Sequence, residues 1–229
     1  MNEFIIIAVA TEDSAELKRF KMSCELSNVP YKILGMNTTW NGGDMANGTG
    51  GGQKVNLLRN ELKTWTTRKL RSTLILVSDS YDVIVLASVP EIIEKYNMTE
   101  CKILFSTEKF CWPDSNLKQY YSNSRYLNSG GFMGNASNIY NMIHIPINDR
   151  DDDQLYYTKL FLFNNNNTIQ LDYNCEIFQT LNGENITIEK TRVKNKEHNT
   201  RPCIIHGNGP PNIKADLTQI CKHIFRLRM

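Results

Sequence analysis

The chain has 229 residues, of which 41% are hydrophobic and 22% charged, with a formal net charge of +2. This is enough for one well-buried core, alone or with a small annex, and a single domain over residues 1–229 is expected. So small a charge, with no Lys/Arg cluster along a helix face, argues against nucleic acid and anionic membranes as partners.

Met1-Asn2-Glu3 leads straight into Phe4-Ile5-Ile6-Ile7-Ala8-Val9. This run lacks a basic leader and is too short to span a bilayer, so it reads as a first strand, with no secretion signal or membrane anchor. Thr11-Glu12-Asp13-Ser14 is a helix-start signal, and Leu17, Phe20 and Cys24 continue it at spacings of three and four. Asn28-Val29-Pro30 ends the helix before a second strand, Tyr31–Leu34, which completes a βαβ unit. From Gly35 to Gly52 periodicity gives way to Asn, Thr and Gly around Trp40, in a loop too long to be a simple connection. Val55, Leu58, Leu62 and Trp65 then share a helical face, and Arg68-Lys69 suit the C-terminal end of that helix.

Leu74-Ile75-Leu76-Val77-Ser78 is a buried strand that delivers Asp79 and Asp82 to its own carboxyl edge, with Tyr81 between them. Ligands of open α/β sheets bind at that edge. Ser88-Val89-Pro90-Glu91 opens a short helix through Tyr96, and Ile103–Ser106 is a further strand ending at an acid, Glu108. After Phe110-Cys111-Trp112-Pro113 and a tyrosine-rich segment, Leu127-Asn128-Ser129-Gly130-Gly131-Phe132 has small residues that let the backbone approach a neighbour closely. A helix is expected around Ile139–Ile143. The acidic Asp149–Gln154 opens the periodic stretch Leu155–Phe161, and Asn164–Asn167 reads as a surface loop. Short β-like runs follow at 169–171, 176–178 and 186–188, and Cys203-Ile204-Ile205 ends at His206, before Gly207-Asn208-Gly209-Pro210-Pro211.

Several constellations carry chemistry. Gly48–Lys54 resembles a phosphate loop but lacks Gly directly before Lys54 and Ser/Thr directly after it. What remains is a helix N-terminus and Lys54 that attract an anion, or a flexible turn with a surface lysine. Asp79-x-x-Asp82 suits a metal that neutralises a diphosphate, or else a pair of turn caps. His206 would meet those acids at the same sheet edge, and two carboxylates with one imidazole favour manganese over magnesium or calcium, with Mg²⁺ as the alternative. Asp151, Asp152 and Asp153 are either a carboxylate source for sugar chemistry or a solvated helix start. Six scattered cysteines without a Cys-x-x-Cys pair disfavour a zinc knuckle or disulfide framework, and six Asn-x-Ser/Thr sequons (Asn37, Asn47, Asn97, Asn135, Asn166, Asn185) are weak evidence for a secretory route in so Asn-rich a chain.

Taken in order, Val9-Ala10-Thr11-Glu12, Trp40-Asn41-Gly42-Gly43-Asp44, Gly50–Lys54, Asp79–Asp82, Phe110–Pro113, Leu127–Phe132, Asp151–Gln154 and His206–Pro210 closely resemble the glycosyltransferase domain of the procollagen lysyl hydroxylase and glycosyltransferase family. The resemblance implies an α/β fold of GT-A type, with a Rossmann-like nucleotide-binding sheet flanked by helices. It places donor binding at about 1–110, and acceptor binding and completion of the metal site at about 111–215. By the same carry-over, Asp79, Asp82 and His206 hold the metal, and Val9, Thr11 and Tyr81 hold uridine. Trp40, Asp44, Asn208 and Gly209 border the donor, and Asp152 and Asp153 face sugar and acceptor; Lys54, by its own charge, is expected to bind the donor at the departing UDP. The implied reaction moves glucose from UDP-glucose to galactosyl-hydroxylysine of collagen or a collagen-like acceptor. Galactosyl transfer to hydroxylysine and a non-catalytic module binding UDP-sugar or collagen are the alternatives.

Three departures stand out. The acidic run is shorter than the family's; Asn212 takes the place of the lysine after His-Gly-Asn-Gly-Pro, with Lys214 two residues on; and Met45 replaces a small branched residue, which leaves glucose and galactose both open. No hydroxylase domain is present, so the expectation is a cytoplasmic stand-alone transferase or, as an excised domain, one from the endoplasmic reticulum lumen. The oligomeric state stays open, a dimer included.

Overall fold

The computed structural model describes residues 3–44, 49–163 and 168–228. Met45, the sequons at Asn47 and Asn166 and the loop Asn164–Asn167 lie outside the described residues.

In chain order the elements are β1 (Glu3–Val9), α1 (Ala15–Leu26), β2 (Tyr31–Leu34), α2 (Gly52–Lys63), α3 (Thr67–Ser72), β3 (Thr73–Ser78), β4 (Val83–Val85) and α4 (Val89–Asn97). They continue with β5 (Ile103–Glu108), a 3₁₀ turn (Ser115–Tyr120), β6 (Tyr126–Asn135), α5 (Ala136–Met142), α6 (Asp153–Phe163), β7 (Ile169–Leu171), β8 (Phe178–Thr180), β9 (Ile186–Glu189), β10 (Arg192–Asn195), β11 (Ile204–His206) and α7 (Pro211–Arg228).

The main sheet has the order β2-β1-β3-β6-β5-β7. β1 pairs in parallel with β2 and β3, whereas β6 is antiparallel to both β3 and β5. Side chains of β3 alternate between two cores, which is why its sequence is apolar throughout. Leu74 and Leu76 pack with Phe4, Ile6, Leu17 and Phe20 on one face, and Ile75 packs with Ile7, Leu58, Leu62 and Phe105 on the other. A second sheet, β4-β11-β8, carries a third core in which Ile84 and Ile205 meet Leu217, Ile220 and Ile224 of α7. β11 pairs with β4 so that His206 lies opposite Val83, one residue past Asp82. That pairing brings the end of the chain's last apolar run to the carboxyl edge of β3. No described helix is long and apolar enough to cross a membrane.

Two local readings differ from the structure. α2 ends at Lys63, and Arg68-Lys69 belong to α3, whose start is capped by Thr66 Oγ1 accepting from Lys69 N at 3.2 Å. The strand read at 176–178 begins only at Phe178, because Asp172 accepts hydrogen bonds from the amides of Glu176, Ile177 and Phe178 and holds a turn there. β6 runs through the Gly-rich segment for ten residues. α7 is a full helix beginning at Pro211, where a missing N–H costs nothing. The six cysteines are free thiols, with Cys24, Cys175, Cys203 and Cys221 buried.

Candidate active site

Asp79 leaves the end of β3 and Asp82 the loop before β4, while His206 ends β11. One ligand atom from each lies within 4.8 Å of the others. His206 Nε2 is 3.6 Å from Asp79 Oδ2 and 3.4 Å from Asp82 Oδ1. Space for this cluster depends on Gly130 of β6: a Cβ there would overlap His206 Cε1 and lie 2.6 Å from its Nδ1 and 2.8 Å from Asp79 Oδ2. The close approach expected of the Leu127–Phe132 segment is therefore made, and made against Asp79 and His206.

Lys54, in the first turn of α2, spans two carboxylates, with Nζ 2.8 Å from both Asp79 Oδ1 and Asp153 Oδ2. Burial acts to lower the Lys54 ammonium, but Asp153 and Asp79 outweigh it and hold it well above the ordinary lysine value. Burial raises the Asp153 carboxyl; Lys54 opposes this, and the charge of Asp79 adds to it. One ammonium is thus shared between Asp153 and a member of the Asp-Asp-His group. Two hard carboxylate oxygens and an imidazole, with ligand atoms within 4.8 Å of one another, fit a divalent cation.

The three adjacent aspartates diverge. Asp151 Oδ2 accepts from Asn148 N, Asp152 Oδ1 caps α6 by accepting from Leu155 N at 2.6 Å, and only Asp153 is joined to Lys54. The backbone of this segment also docks on the Gly-rich loop, through Gly52 N to Asp151 O, Gln53 N to Asp149 O and Asp153 N to Gly50 O. Gly51 N and Lys54 N donate to Gly42 O and Gly51 O. The amides at the start of α2 are therefore already paired with backbone carbonyls, and of the anion site expected there only the Lys54 charge remains.

Tyr81 Oη accepts from Thr11 N at 3.1 Å and Glu12 N at 3.3 Å, while Ser80 Oγ donates to Val9 O at 2.6 Å. The end of β1 and the Asp79–Asp82 turn are thus one unit. A cavity of about 390 Å³ opens beside Tyr81, between the N-terminal ends of α1 and α7, with Glu12, Arg19, Lys214 and Thr218 in its wall. Lys214, the lysine displaced by two positions, reaches the site from α7: its Nζ is 3.4 Å from Asp82 Oδ2.

Trp40 stays within its own loop, donating from Nε1 to Gly43 O at 2.7 Å, and Asp44 is exposed where the described part of that loop ends. Asn208 Oδ1 accepts from Leu181 N and Asn182 N, and Gly209, at φ 96°, lies against the Asn182 side chain where a Cβ would clash. Neither Trp40 nor Gly209 has a direct contact to the Asp-Asp-His group among the described interactions.

From sequence Glu108 reads only as the end of a strand, and Asn128 and Gln154 have no separate role. In the structure they form a buried hub: Glu108 Oε1 accepts from Asn128 Nδ2 (2.9 Å) and Gln154 Nε2 (2.8 Å), and Oε2 accepts from Asn208 Nδ2 (2.9 Å). Burial pushes the Glu108 carboxyl up, against these donors and the charge of His206. An acid ending a wholly buried strand was the available signal, because such a group must find several donors.

The metal-free cluster predicts a pH profile. Burial raises the Asp82 carboxyl, but His206 and Lys214 outweigh it and bring it down from 3.8 to about 2. Burial lowers His206, but Asp82 first and then Asp79 outweigh it and hold it above 6.5. The depressed Asp82 contributes stability that is present above 3.8 and lost as pH falls toward 2. The raised His206 contributes stability that is present below 6.5 and lost as pH rises through its higher folded value. Chelator-treated protein should therefore have its highest denaturation midpoint between these limits and decline on both sides. A midpoint that is flat across both flanks would contradict the pairing.

A family model of the PLOD GT domain matches residues 1–226. The chain is 36% identical over 228 residues to human multifunctional procollagen lysine hydroxylase and glycosyltransferase LH3, covering 93% of this chain and 31% of that protein. It is 38% identical to the Drosophila melanogaster procollagen-lysine,2-oxoglutarate 5-dioxygenase, covering 96% of this chain and 32% of the relative. It is also 38% identical to uncharacterized protein R699 of Acanthamoeba polyphaga mimivirus, covering 89% and 45%. The chain thus spans less than half the length of these relatives. A crystal structure of a glycosyltransferase involved in glycosylation of the major capsid of PBCV-1 aligns over 96% of this chain and 98% of its own, with a TM-score of 0.56 at 10% identity, a likeness of fold alone. With its mixed α/β fold of GT-A type and a family match along almost its whole length, the chain belongs to the family of PLOD glycosyltransferase domains.

Proposed function

We propose that this chain transfers glucose from UDP-glucose to galactosyl-hydroxylysine of a collagen-like protein, with retention at the sugar carbon and with Mn²⁺ at Asp79, Asp82 and His206. The observation that carries the reading is the Lys54 bridge, which joins the metal-competent cluster to Asp153 through two 2.8 Å contacts. A bound divalent cation would supply Lewis-acid charge toward the diphosphate leaving group.

The chain's own residues do the rest. Lys54 adds a fixed positive charge beside the departing UDP, in a site where burial strengthens electrostatics. Asp153 orients the acceptor hydroxyl or stabilises positive charge at the sugar carbon, as carboxylates do in glycoside chemistry. Asp152 serves that step by capping α6, which fixes the first turn on which Asp153 sits. Val9, Thr11 and Tyr81 receive the uridine, and Trp40, Asp44, Asn208 and Gly209 border the donor.

The departure at Met45 leaves a second reading open, in which galactose is transferred to hydroxylysine. A panel of UDP-sugars assayed with Mn²⁺ against hydroxylysine and galactosyl-hydroxylysine peptides separates the two. UDP release with UDP-glucose that requires the galactosylated peptide, and an α-linked product by NMR, is the expected result. Release with UDP-galactose and bare hydroxylysine would replace it with the second reading. Nucleotide binding without release on any acceptor in the panel would indicate a binding module.

A further inference from the structure

The hub around Glu108 has a definite polarity. Backbone N–H groups can only donate, and one of them faces an oxygen of each amide in the hub. Gly130 N donates to Asn128 Oδ1 at 3.2 Å, Ser129 N to Gln154 Oε1 at 3.1 Å, and Leu181 N to Asn208 Oδ1 at 3.1 Å. All three amide nitrogens are thereby turned toward Glu108, which accepts from each. Asn128 cannot flip without setting its NH₂ against the Gly130 N–H and losing its bond to Glu108. Its Oδ1 therefore stays an acceptor, and this atom lies 3.1 Å from His206 Nδ1. Only a protonated Nδ1 completes that contact.

We propose that Asn128, locked by Glu108 and the Gly130 amide, is a positioning residue that fixes neutral His206 as the Nδ1–H tautomer, so that the Nε2 lone pair faces Asp79 and Asp82. Without Asn128 the preference would reverse. Nε2 lies 3.4 Å from Asp82 Oδ1 and 3.6 Å from Asp79 Oδ2, so a neutral ring would gain by placing its proton there, where it would block a metal. Asn128 removes that self-blocking state before any cation arrives. The hydrogen bond made by the other ring nitrogen commonly sets which nitrogen of a histidine ligates. The metal-binding consequence rests on the reading of Asp79, Asp82 and His206 as the metal site, whereas the tautomer does not.

The test has two arms on the whole chain. In chelator-treated protein at alkaline pH, ¹⁵N NMR of the His206 ring should show the proton on Nδ1 in the wild type and on Nε2 in Asn128→Leu. Asn128→Asp should restore the Nδ1–H form, since it keeps the accepting oxygen and can share a proton with Glu108 in place of the amide N–H. Direct Mn²⁺ titration, without nucleotide, should show Asn128→Leu binding about 10–100-fold more weakly than the wild type. A wild-type ring protonated on Nε2 overturns the proposal and needs no variant to fold. A folded Asn128→Leu that keeps wild-type Mn²⁺ affinity overturns the metal-binding consequence. A wild type with the Nδ1–H ring but no Mn²⁺ binding would instead overturn the metal reading and leave the tautomer assigned.

Discussion

Replacing Asp82 by alanine should abolish metal-dependent UDP release while leaving a folded protein. Asp82 is one of two carboxylates in the cluster, and it is also the partner of His206 at 3.4 Å and of Lys214 at 3.4 Å. Its removal takes away a ligand and leaves the Lys214 ammonium without its carboxylate beside the vacated position, where it repels a metal ion. Loss of groups that merely support a metal ligand costs about 10–100-fold in affinity, so loss of a ligand with this added repulsion should exceed about 100-fold. The main-chain part of Asp82 is untouched: its carbonyl accepts from Gly207 N at 2.7 Å, which keeps the β4–β11 junction closed. Mn²⁺ titration and UDP release on purified Asp82→Ala check this. Wild-type activity in the variant would sink the metal assignment.

Gly130→Ala should be nearly as damaging for a different reason. The added methyl group enters the space occupied by the His206 ring and crowds Asp79, and the Gly130 carbonyl is tied to the end of β3 by accepting from Asp79 N at 3.1 Å, which limits the retreat of the backbone. Overpacking of this kind costs about 1–3 kcal/mol. At about 2–4 °C per kcal/mol for a chain of this size, the melting temperature should fall by several degrees. The distinguishing outcome is at the site: His206 is the group displaced, so Mn²⁺ affinity should fall even at temperatures where the variant is fully folded. A stable Gly130→Ala that binds Mn²⁺ as the wild type does would show that the ring has room the present geometry denies it.

These two residues also show how much could be read from sequence. Asp79, Asp82 and His206 are legible because each follows an apolar run, and the end of a buried strand is where a sheet exposes side chains to a ligand. Gly130 is legible as a site of close approach, but that the His206 ring is what it approaches is not, since the segment carries no signal for its neighbour across the sheet. The hub is harder still: Glu108, Asn128, Gln154 and Asn208 are joined across as many as 100 positions, and buried polar contacts have no period along the chain. The acidic run shows the same limit within three residues. Composition presents Asp151, Asp152 and Asp153 as equivalents, and only the docking of the Gly-rich loop on their backbone separates a cap from the partner of Lys54. α7 was within reach, because Leu217, Ile220, Cys221 and Ile224 repeat at helical spacing, but Pro210-Pro211 reads as loop unless Pro211 is recognised as a helix start.

The fold and the proposed chemistry meet at one junction. The parallel half of the main sheet ends in the Val9–Thr11 and Asp79–Asp82 turns, tied together by Tyr81 and Ser80. The small sheet brings His206 to them, and α2 brings Lys54 with Asp153. The measurement that tests this most directly is UDP release from UDP-glucose in the presence of a galactosyl-hydroxylysine peptide, by chelator-treated protein titrated with Mn²⁺. No release before the metal and saturable release with it is the expected result. Equal release with and without chelator, or none at saturating Mn²⁺, would contradict a metal-dependent transferase at Asp79, Asp82 and His206.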